Sequence, residues 1–267
     1  MRTFAKILLG GSLLVNAGGL GLGLRVLHDR GGVSYLQQRF GMETEPRWEG
    51  DPEYGETLAI HRSLPRLEDE ILFVGDSLTA GYRWAERFPD LPIRNFGIGA
   101  DHSIDLVHRV ETIASRRPAQ LFLMIGTNDV GDQVPAEATA GRVRTVIEAV
   151  RERRSDARVV LFSVPPTGAV LYADAIDRCN AALAGLAAEL DVEYVDMHEA
   201  FSDDDGTIRE GLTTDGIHLS KAGYDLWVSR VAELLEADGK SWPERQMAGD
   251  GPGMPEHGEY ALSSLER

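Results

Sequence analysis

The sequence predicts an α/β fold of three layers, in which a parallel sheet of about five strands carries helices on both faces. Two observations support this prediction. Five short apolar runs, each bounded by polar or turn-forming residues, have the length of buried strands. Helical stretches separate these runs, and strands that alternate with helices form parallel sheets covered on both sides.

The predicted elements follow one another from residue 70 to residue 237. The strands are expected, in chain order, at Glu70–Gly75, Ile93–Phe96, Gln120–Ile125, Arg158–Val164 and Glu193–Val195, each built on an apolar run. The longer stretches between and after them predict helices near Thr79–Phe88, Ser103–Arg116, Ala136–Arg154, Tyr172–Leu190 and Ser220–Ala237. Ligand sites of such sheets lie beyond the carboxyl ends of the strands.

Residues 1–30 are interpreted as a membrane anchor or a signal segment. Ile7–Leu24 carries no charge, and as a helix it would reach roughly 27 Å, enough to cross a bilayer. The alternatives are a cleaved signal peptide, with Val15-Asn16-Ala17 as a weak cleavage site, and a soluble or surface-lying segment. With either of the first two, the catalytic domain is expected outside the cytoplasm, membrane-anchored or exported.

The rest of the chain divides into a linker, a domain and a tail. Residues 31–69 contain several turn formers and are interpreted as a linker, with one short helix before Ile71. Residues 70–237 form the predicted catalytic domain. Residues 238–267 are rich in Gly, Pro and charge and are predicted to be disordered.

Composition excludes some partners. The formal net charge is −16 and the pI is near 4.8, which argues against nucleic-acid binding because a phosphate backbone requires clustered Lys and Arg. The chain has one cysteine, Cys179, interpreted as a core residue of a helix. The acidic run Asp203-Asp204-Asp205 lacks the remaining spacing of a calcium loop, and the histidines form no metal-ligand cluster.

Polar residues follow the first three predicted strands. Asp76 and Ser77 follow the first strand, the segment 97–101 follows the second, and Asn128 follows the third. Asp215 and His218 precede the last predicted helix, so their loop can fold over the same edge. We therefore expect these side chains to gather at one edge of the sheet.

Four blocks in this order resemble those of the SGNH, or GDSL, hydrolase family. They are the segments Phe73–Leu78, Asn95–Asp101, Ile125–Asp129 and Asp215–Leu219, the last running on to Gly223 and Tyr224, within a region of similarity from about 70 to 235. The resemblance implies a flavodoxin-like sheet and a serine hydrolase without a cofactor. It also implies that Ser77 is the nucleophile, His218 the base and then the acid, and Asp215 the residue that orients the imidazole.

Elementary chemistry agrees with these roles. A serine hydroxyl attacks poorly unless a base removes its proton and a third group orients that base. Ser77 stands where a strand ends, so its own backbone N–H can face an oxyanion. The alternatives are a helix-capping role for Ser77, a surface position for His218 and a plain turn role for Asp215.

The oxyanion hole is expected to combine the backbone N–H groups of Ser77 and Ala100 with the Asn128 side-chain amide. Asn128 resembles the family's oxyanion asparagine; its alternative role is to cap or turn the chain. Ala100 departs from the family pattern, which usually has glycine there, and a positive φ at this position would strain alanine. We expect Gly99 to give this loop its freedom, and Asp129 and Asp76 to hold loops.

The predicted function is hydrolysis of carboxylic esters through an acyl-enzyme, as in a lysophospholipase or a short-chain acyl esterase. The alternatives are a carbohydrate O-acetylesterase or acyltransferase, a non-catalytic binding module, and a protein that acts chiefly through its membrane segment. The expected partners are a small ester and, through the N-terminal segment, a membrane. The sequence does not indicate the oligomeric state.

Overall fold

Five parallel strands form the centre of the fold in the order β2-β1-β3-β4-β5. The computed structural model describes residues 51–239, and all of them except Gly131–Gln133 belong to one unit. The strands are β1 (Ile71–Gly75), β2 (Ile93–Gly97), β3 (Gln120–Met124), β4 (Arg158–Phe162) and β5 (Glu193–Val195). This flavodoxin-like order changes direction between β1 and β3, which is where such sheets bind ligands.

Helices connect successive strands and cover both faces. They are α1 (Pro52–Ser63), α2 (Ser77–Ala80), α3 (Trp84–Arg87), α4 (Ser103–His108), α5 (Val110–Ala114), α6 (Thr127–Gly131), α7 (Ala136–Arg153), α8 (Ala173–Leu190), α9 (His198–Phe201) and α10 (Lys221–Ala237), with a 3-10 turn at Val170–Tyr172. The predicted three-layer α/β fold is therefore confirmed.

The strands are buried on both faces, which explains their continuous apolar sequences. Along β1, Leu72 and Val74 enter one hydrophobic core, whereas Ile71 and Phe73 enter the other. The first core is closed by helices α7 and α8, and the second by α10. Because both faces are packed, the carboxyl edge of the sheet is the part left open for chemistry.

Two predicted helices are each divided in the structure. The stretch predicted at Thr79–Phe88 forms α2 and α3, because Asn95 Nδ2 donates to the carbonyl oxygens of Thr79 and Tyr82 at 3.0 Å each and the chain turns at Gly81. The stretch predicted at Ser103–Arg116 forms α4 and α5, which meet at Arg109. At this second break the side chain of Arg109 is fully buried and donates to the backbone oxygens of Phe96 and Gly75.

The segment before β1 contains one helix, α1. Asp51 caps it by accepting from the backbone N–H groups of Glu53 and Tyr54, and Tyr54 and Leu58 are buried. The predictions for residues 1–30 and for the tail after residue 239 lie outside the described residues. Within residues 51–239, no helix combines the length and apolar character that a membrane span requires.

Candidate active site

Ser77 and His218 are far apart in sequence and meet at the carboxyl edge of the sheet. Ser77 Oγ lies 3.1 Å from His218 Nε2. Ser77 begins α2 directly after the β1 turn, and His218 lies in the loop before α10. The distance is that of a nucleophile and its general base.

Asp215 is hydrogen-bonded both to the backbone of its own loop and to the imidazole of His218. Its Oδ2 lies 2.7 Å from His218 Nδ1, whereas Oδ1 accepts from the backbone N–H groups of Ile217 and His218 at 2.9 and 2.7 Å. The carboxylate places the proton of the neutral imidazole on Nδ1, which leaves Nε2 free to accept from the serine hydroxyl. Burial acts to raise the pKa of Asp215, but these hydrogen bonds outweigh it and hold the pKa below its ordinary value.

The turn before Ser77 needs glycine at its first position. A Cβ on Gly75 would lie 2.2 Å from the backbone oxygen of Met124 and 2.3 Å from Thr79 Oγ1, closer than any real contact. Asp76 then caps α2 by accepting from the Leu78 backbone N–H at 2.9 Å. Gly75 and Asp76 therefore hold the nucleophile turn, as expected for Asp76 from the sequence.

Burial changes the acidity of Asp76. Its side chain is 1% exposed, and the loss of solvation raises its pKa to about 6; the Leu78 hydrogen bond opposes this effect, and the negative charge of Asp129 adds to it. Asp76 Oδ2 has no hydrogen-bond partner among residues 51–239. The residue before Ser77 thus carries a carboxyl group that gains a proton more readily than an exposed aspartate does.

Two of the predicted oxyanion donors, Ser77 and Asn128, lie after neighbouring strands of the sheet. Ser77 is the first residue of α2, so its backbone N–H has no acceptor within that helix. Asn128 lies in α6 directly after β3, and its Nδ2 donates to the Asp101 backbone oxygen at 2.8 Å. This hydrogen bond uses one N–H of the amide and leaves the second for a ligand.

Ala100, the third predicted donor, lies in a strained turn. The Asp101 backbone N–H donates to the Ile98 oxygen at 3.3 Å, and Ala100 occupies the third position of this turn with φ of 56°. Left-handed backbone costs alanine about 1–2 kcal/mol. The left-handed backbone of this turn is thus at Ala100 and not at Gly99, whose φ is not positive. Within residues 51–239, the Ala100 backbone N–H donates to no backbone oxygen.

Asp129 holds the neighbouring loop, as expected. Its side chain is buried and accepts from the backbone N–H of Ser103 at 2.9 Å and from the Ser103 hydroxyl at 2.5 Å. A weaker bond from Thr139 Oγ1 at 3.3 Å joins it to α7. Asp129 therefore fixes the start of α4 next to Asn128, and its oxygens are occupied within the protein.

Sequence reasoning missed Arg109, which is fully buried at the break between α4 and α5. Its Nε and Nη2 lie 2.9 and 2.8 Å from Asp101 Oδ2, Nη1 donates to the Phe96 oxygen at 2.7 Å, and Nη2 donates to the Gly75 oxygen at 3.3 Å. A signal was present, because Leu106, Arg109 and Ile113 have the spacing of one apolar helix face. A cation on such a face indicates a buried polar partner.

Sequence reasoning also missed the support of the His218 loop. The Gly168 backbone N–H donates to the Gly216 oxygen at 2.7 Å, and a Cβ on Gly168 would lie 3.0 Å from Gly216 Cα. The loop after β4 therefore rests directly on the loop of the general base. These two loops carry three exposed apolar side chains, which we call the apolar rim: Val170, Leu171 and Ile217.

The structure also shows the surroundings of Cys179 and of the acidic run that begins at Asp203. Cys179 is buried in α8, and burial raises the pKa of its thiol to about 12, as befits a core residue. Asp203 accepts from the backbone N–H groups of Asp205 and Thr207, which makes this run a hydrogen-bonded turn. Within residues 51–239, no group of three or more His, Cys, Asp or Glu side chains is arranged to hold a metal ion.

Comparison with known proteins agrees with this geometry. The model of the GDSL-like Lipase/Acylhydrolase family matches residues 73–226. The chain is 32% identical over 168 residues to the human platelet-activating factor acetylhydrolase IB subunit alpha1, an alignment that covers 59% of this chain and 71% of the relative.

Solved structures share the fold. A GDSL-like lipase from Bacteroides thetaiotaomicron aligns with a TM-score of 0.59 and 21% identity, covering 69% of this chain and 98% of that one. A variant of an acetyl-xylooligosaccharide esterase from Geobacillus aligns with a TM-score of 0.54 and 22% identity, covering 66% and 97%. The family match, the sheet order and the Ser77–His218–Asp215 geometry lead to one conclusion: the chain belongs to the GDSL-like lipase/acylhydrolase family and is an ester hydrolase of the SGNH type.

Proposed function

We propose that this enzyme removes short acyl groups, acetyl above all, from alcohols through an acyl-enzyme on Ser77. Ser77 Oγ attacks the ester carbonyl carbon while its proton passes to His218 Nε2. The oxyanion accepts hydrogen bonds from the backbone N–H groups of Ser77 and Ala100 and from the Asn128 amide. The intermediate then collapses, and the alcohol leaves with the proton from His218.

The second half of the reaction repeats the proton transfers in reverse. A water molecule gives a proton to His218 Nε2 and attacks the acyl carbon. The carboxylic acid leaves as Ser77 Oγ takes the proton back, so the enzyme returns to its starting state. Asp215 keeps the imidazole in the same tautomer throughout and stabilises the imidazolium.

The exposure of the triad is the observation that supports a short acyl group. The side chains of His218 and Asp215 are 47% and 52% exposed, and Ala100 is exposed as well. A long acyl chain gains its binding energy by burying apolar surface, about 25 cal/mol per Å². A catalytic edge this open buries little of such a chain, so selectivity for long acyl groups is not expected.

The alcohol side is proposed to carry an apolar portion. The apolar rim lies on the two loops that meet at Gly168 and Gly216, next to the general base. The name of the human relative, an acetylhydrolase, also supports the removal of an acetyl group. Acetylated carbohydrate is the main alternative substrate class, because an open catalytic edge can also accommodate a sugar.

The test is a substrate panel with a nucleophile control. Esters of p-nitrophenol from acetate to laurate, an acetylated glycerophospholipid, a lysophospholipid and an acetylated xylo-oligosaccharide are compared by kcat/KM, with acceptor alcohols added to detect acyl transfer. We expect acetate to exceed laurate and the acetylated lipid to exceed the sugar. Ser77→Ala and His218→Ala should each lose nearly all activity, whereas Ser229→Ala and His108→Ala should retain it.

Three results would overturn the proposal. Esterase activity that persists in Ser77→Ala would remove the nucleophile assignment. A preference for laurate would contradict the short acyl group. An inactive wild-type protein whose Ser77 is not labelled by a fluorophosphonate would favour the non-catalytic binding module.

We also propose that residues 1–30 anchor the enzyme to a membrane, with the catalytic domain outside the cytoplasm. The uncharged stretch Ile7–Leu24 and the preceding Arg2 and Lys6 support this proposal. The full chain should sediment with membranes and resist carbonate extraction, whereas a chain that begins at Gly31 should not. A full chain found entirely in the soluble fraction would contradict the anchor.

A further inference from the structure

The oxyanion hole is assembled from three separate strand ends, which must keep a fixed separation. Ser77 follows β1, Ala100 follows β2, and Asn128 follows β3. Donors to an oxyanion have to lie within a few tenths of an ångström of their working positions. Some part of the protein must therefore connect these segments rigidly.

Arg109 makes this connection. Its guanidinium donates to the Gly75 oxygen at the end of β1, to the Phe96 oxygen near the end of β2, and to the Asp101 carboxylate in the turn that follows. Gly75 is two residues before the nucleophile, and Asp101 directly follows Ala100. A planar guanidinium fixes the geometry of its acceptors more tightly than a flexible ammonium does.

Asp101 extends this connection to the third donor. Its side chain is bound by Arg109, whereas its backbone oxygen accepts from Asn128 Nδ2 at 2.8 Å. One residue is thus held from two sides, by the cation through its carboxylate and by the amide through its carbonyl. Every segment that supplies an oxyanion donor is within one or two hydrogen bonds of Arg109.

The strained turn at Ala100 needs such a restraint. Left-handed backbone at a residue with a Cβ persists only where the surrounding structure enforces it. Here the enforcement comes from the residue next in sequence, because Asp101 is fully buried and paired with Arg109. If that pair were loosened, Ala100 would relax toward ordinary backbone and its N–H would turn away from the oxyanion.

We propose that Arg109 is a positioning residue, which holds the strained Ala100 turn and the Asn128 amide in register with the nucleophile through Asp101. It does not touch the substrate, since it is fully buried. Its contribution is to transition-state stabilisation, so its loss lowers kcat and leaves KM nearly unchanged. The inference rests on the proposed esterase activity.

Arg116 offers a matched control at the amino end of β1, opposite the end that Arg109 binds. It is also buried and pairs with a buried carboxylate, Glu70, while donating to the backbone oxygens of Leu64 and Pro65. Glu70 precedes β1, whereas the nucleophile follows it. Arg116→Lys therefore removes a comparable buried guanidinium that lies over the Phe96 ring but does not bind the backbone oxygen of Phe96, which Arg109 holds.

The experiment measures kcat, KM and Tm for Arg109→Lys, Arg116→Lys and Asp101→Asn with p-nitrophenyl acetate. Arg109→Lys should lose about 100-fold in kcat, the scale of a small misplacement of reacting groups. Arg116→Lys should lower Tm but keep kcat within about twofold. Asp101→Asn, which keeps the backbone oxygen used by Asn128, should lose about tenfold, and it carries the test if Arg109→Lys does not fold.

A double variant separates positioning from general stability. Glycine at position 100 removes the penalty for left-handed backbone, so the effect of Ala100→Gly on kcat should be about fivefold more favourable in Arg109→Lys, or in Asp101→Asn, than in the wild-type background. An equal effect of Ala100→Gly in both backgrounds would overturn the proposal. So would equal kcat losses in Arg109→Lys and Arg116→Lys, whereas an inactive wild type would overturn the esterase function itself.

Discussion

The side-chain amide of Asn128 donates a 2.8 Å hydrogen bond to the backbone oxygen of Asp101. An amide nitrogen carries two hydrogens, so this bond aims the group and leaves one hydrogen for a ligand. The bond joins the segments after β2 and β3, which are 27 residues apart in sequence. Asn128 is thus restrained in the way expected of an electrostatic catalyst, whose donors are positioned before the substrate arrives.

The first prediction follows from this restraint. Asn128→Ala should lower kcat by about two to three orders of magnitude and change KM little, because the lost donor acts on the transition state. Steady-state kinetics with p-nitrophenyl acetate provide the measurement. Asn180→Ala is the control, since this amide bonds the backbone of Val164, and its kcat should stay near the wild-type value.

A loss in Asn128→Ala no larger than that in Asn180→Ala would remove Asn128 from the oxyanion hole. A loss that appears only as a higher KM would also contradict the assignment, because uniform binding of substrate and transition state raises KM alone when removed.

The second prediction concerns the strain at Ala100. Its φ of 56° costs alanine about 1–2 kcal/mol, whereas glycine pays no such penalty but loses more entropy on folding. Ala100→Gly should therefore raise the free energy of unfolding by up to about 1 kcal/mol. Urea unfolding gives the value, and kcat should not fall.

In the matched control, substitution by glycine should lower the free energy of unfolding. Ala181 is exposed in the middle of α8, where glycine should destabilise by about 1 kcal/mol. If Ala100→Gly destabilises the protein as much as Ala181→Gly does, the turn is not strained in solution.

Local sequence patterns were enough to predict the strands and the ends of the longer helices. Apolar runs such as residues 71–74 have few alternatives once helices separate them. The Asp215–His218 pair was also predictable, because its members are three residues apart and fit one turn. These features depend on neighbours along the chain.

Tertiary contacts determine the features that the sequence pattern did not predict. The helix predicted across Arg109 is interrupted because its guanidinium is bound to backbone at the ends of β1 and β2, and no local pattern encodes those acceptors. The positive φ of Ala100 likewise depends on a residue remote in sequence, because Asn128 holds the backbone oxygen of the neighbouring Asp101. The sequence showed only that alanine stands where the family usually has glycine, whereas the positive φ at Ala100 is visible only in the fold.

The third prediction is a pH dependence of stability caused by Asp76. Burial raises its pKa from 3.8 to about 6, so between these values the folded protein binds more proton than the unfolded chain. Stability therefore falls as the pH rises through this window and stays lower above it. Asp76→Asn, which keeps an oxygen for the Leu78 N–H, should remove this loss.

The measurement is the free energy of unfolding of both proteins at several pH values. The variant should gain on the wild type by up to about 3 kcal/mol between pH 4 and pH 7. Asp204→Asn, at an exposed position, is the control and should show no such gain. A constant difference between Asp76→Asn and wild type at every pH would show that the carboxyl group is not titrating in this range.

The fourth prediction tests the apolar rim as the surface for the alcohol portion of the substrate. Leu171 is 67% exposed, three residues after Gly168, whose backbone N–H bonds the His218 loop at Gly216. An alkyl chain that covers about 50 Å² of this side chain gains about 1.3 kcal/mol. Leu171→Ser should therefore lower kcat/KM for octyl acetate by up to about tenfold and leave methyl acetate unaffected, since the alcohol portion of methyl acetate has no alkyl chain to cover Leu171. Ile60→Ser provides the control, because Ile60 is similarly exposed but lies on α1 before the catalytic strands. Equal effects of Leu171→Ser on both acetates, or an equal loss in Ile60→Ser, would contradict the role of the rim and favour an alcohol without an apolar portion.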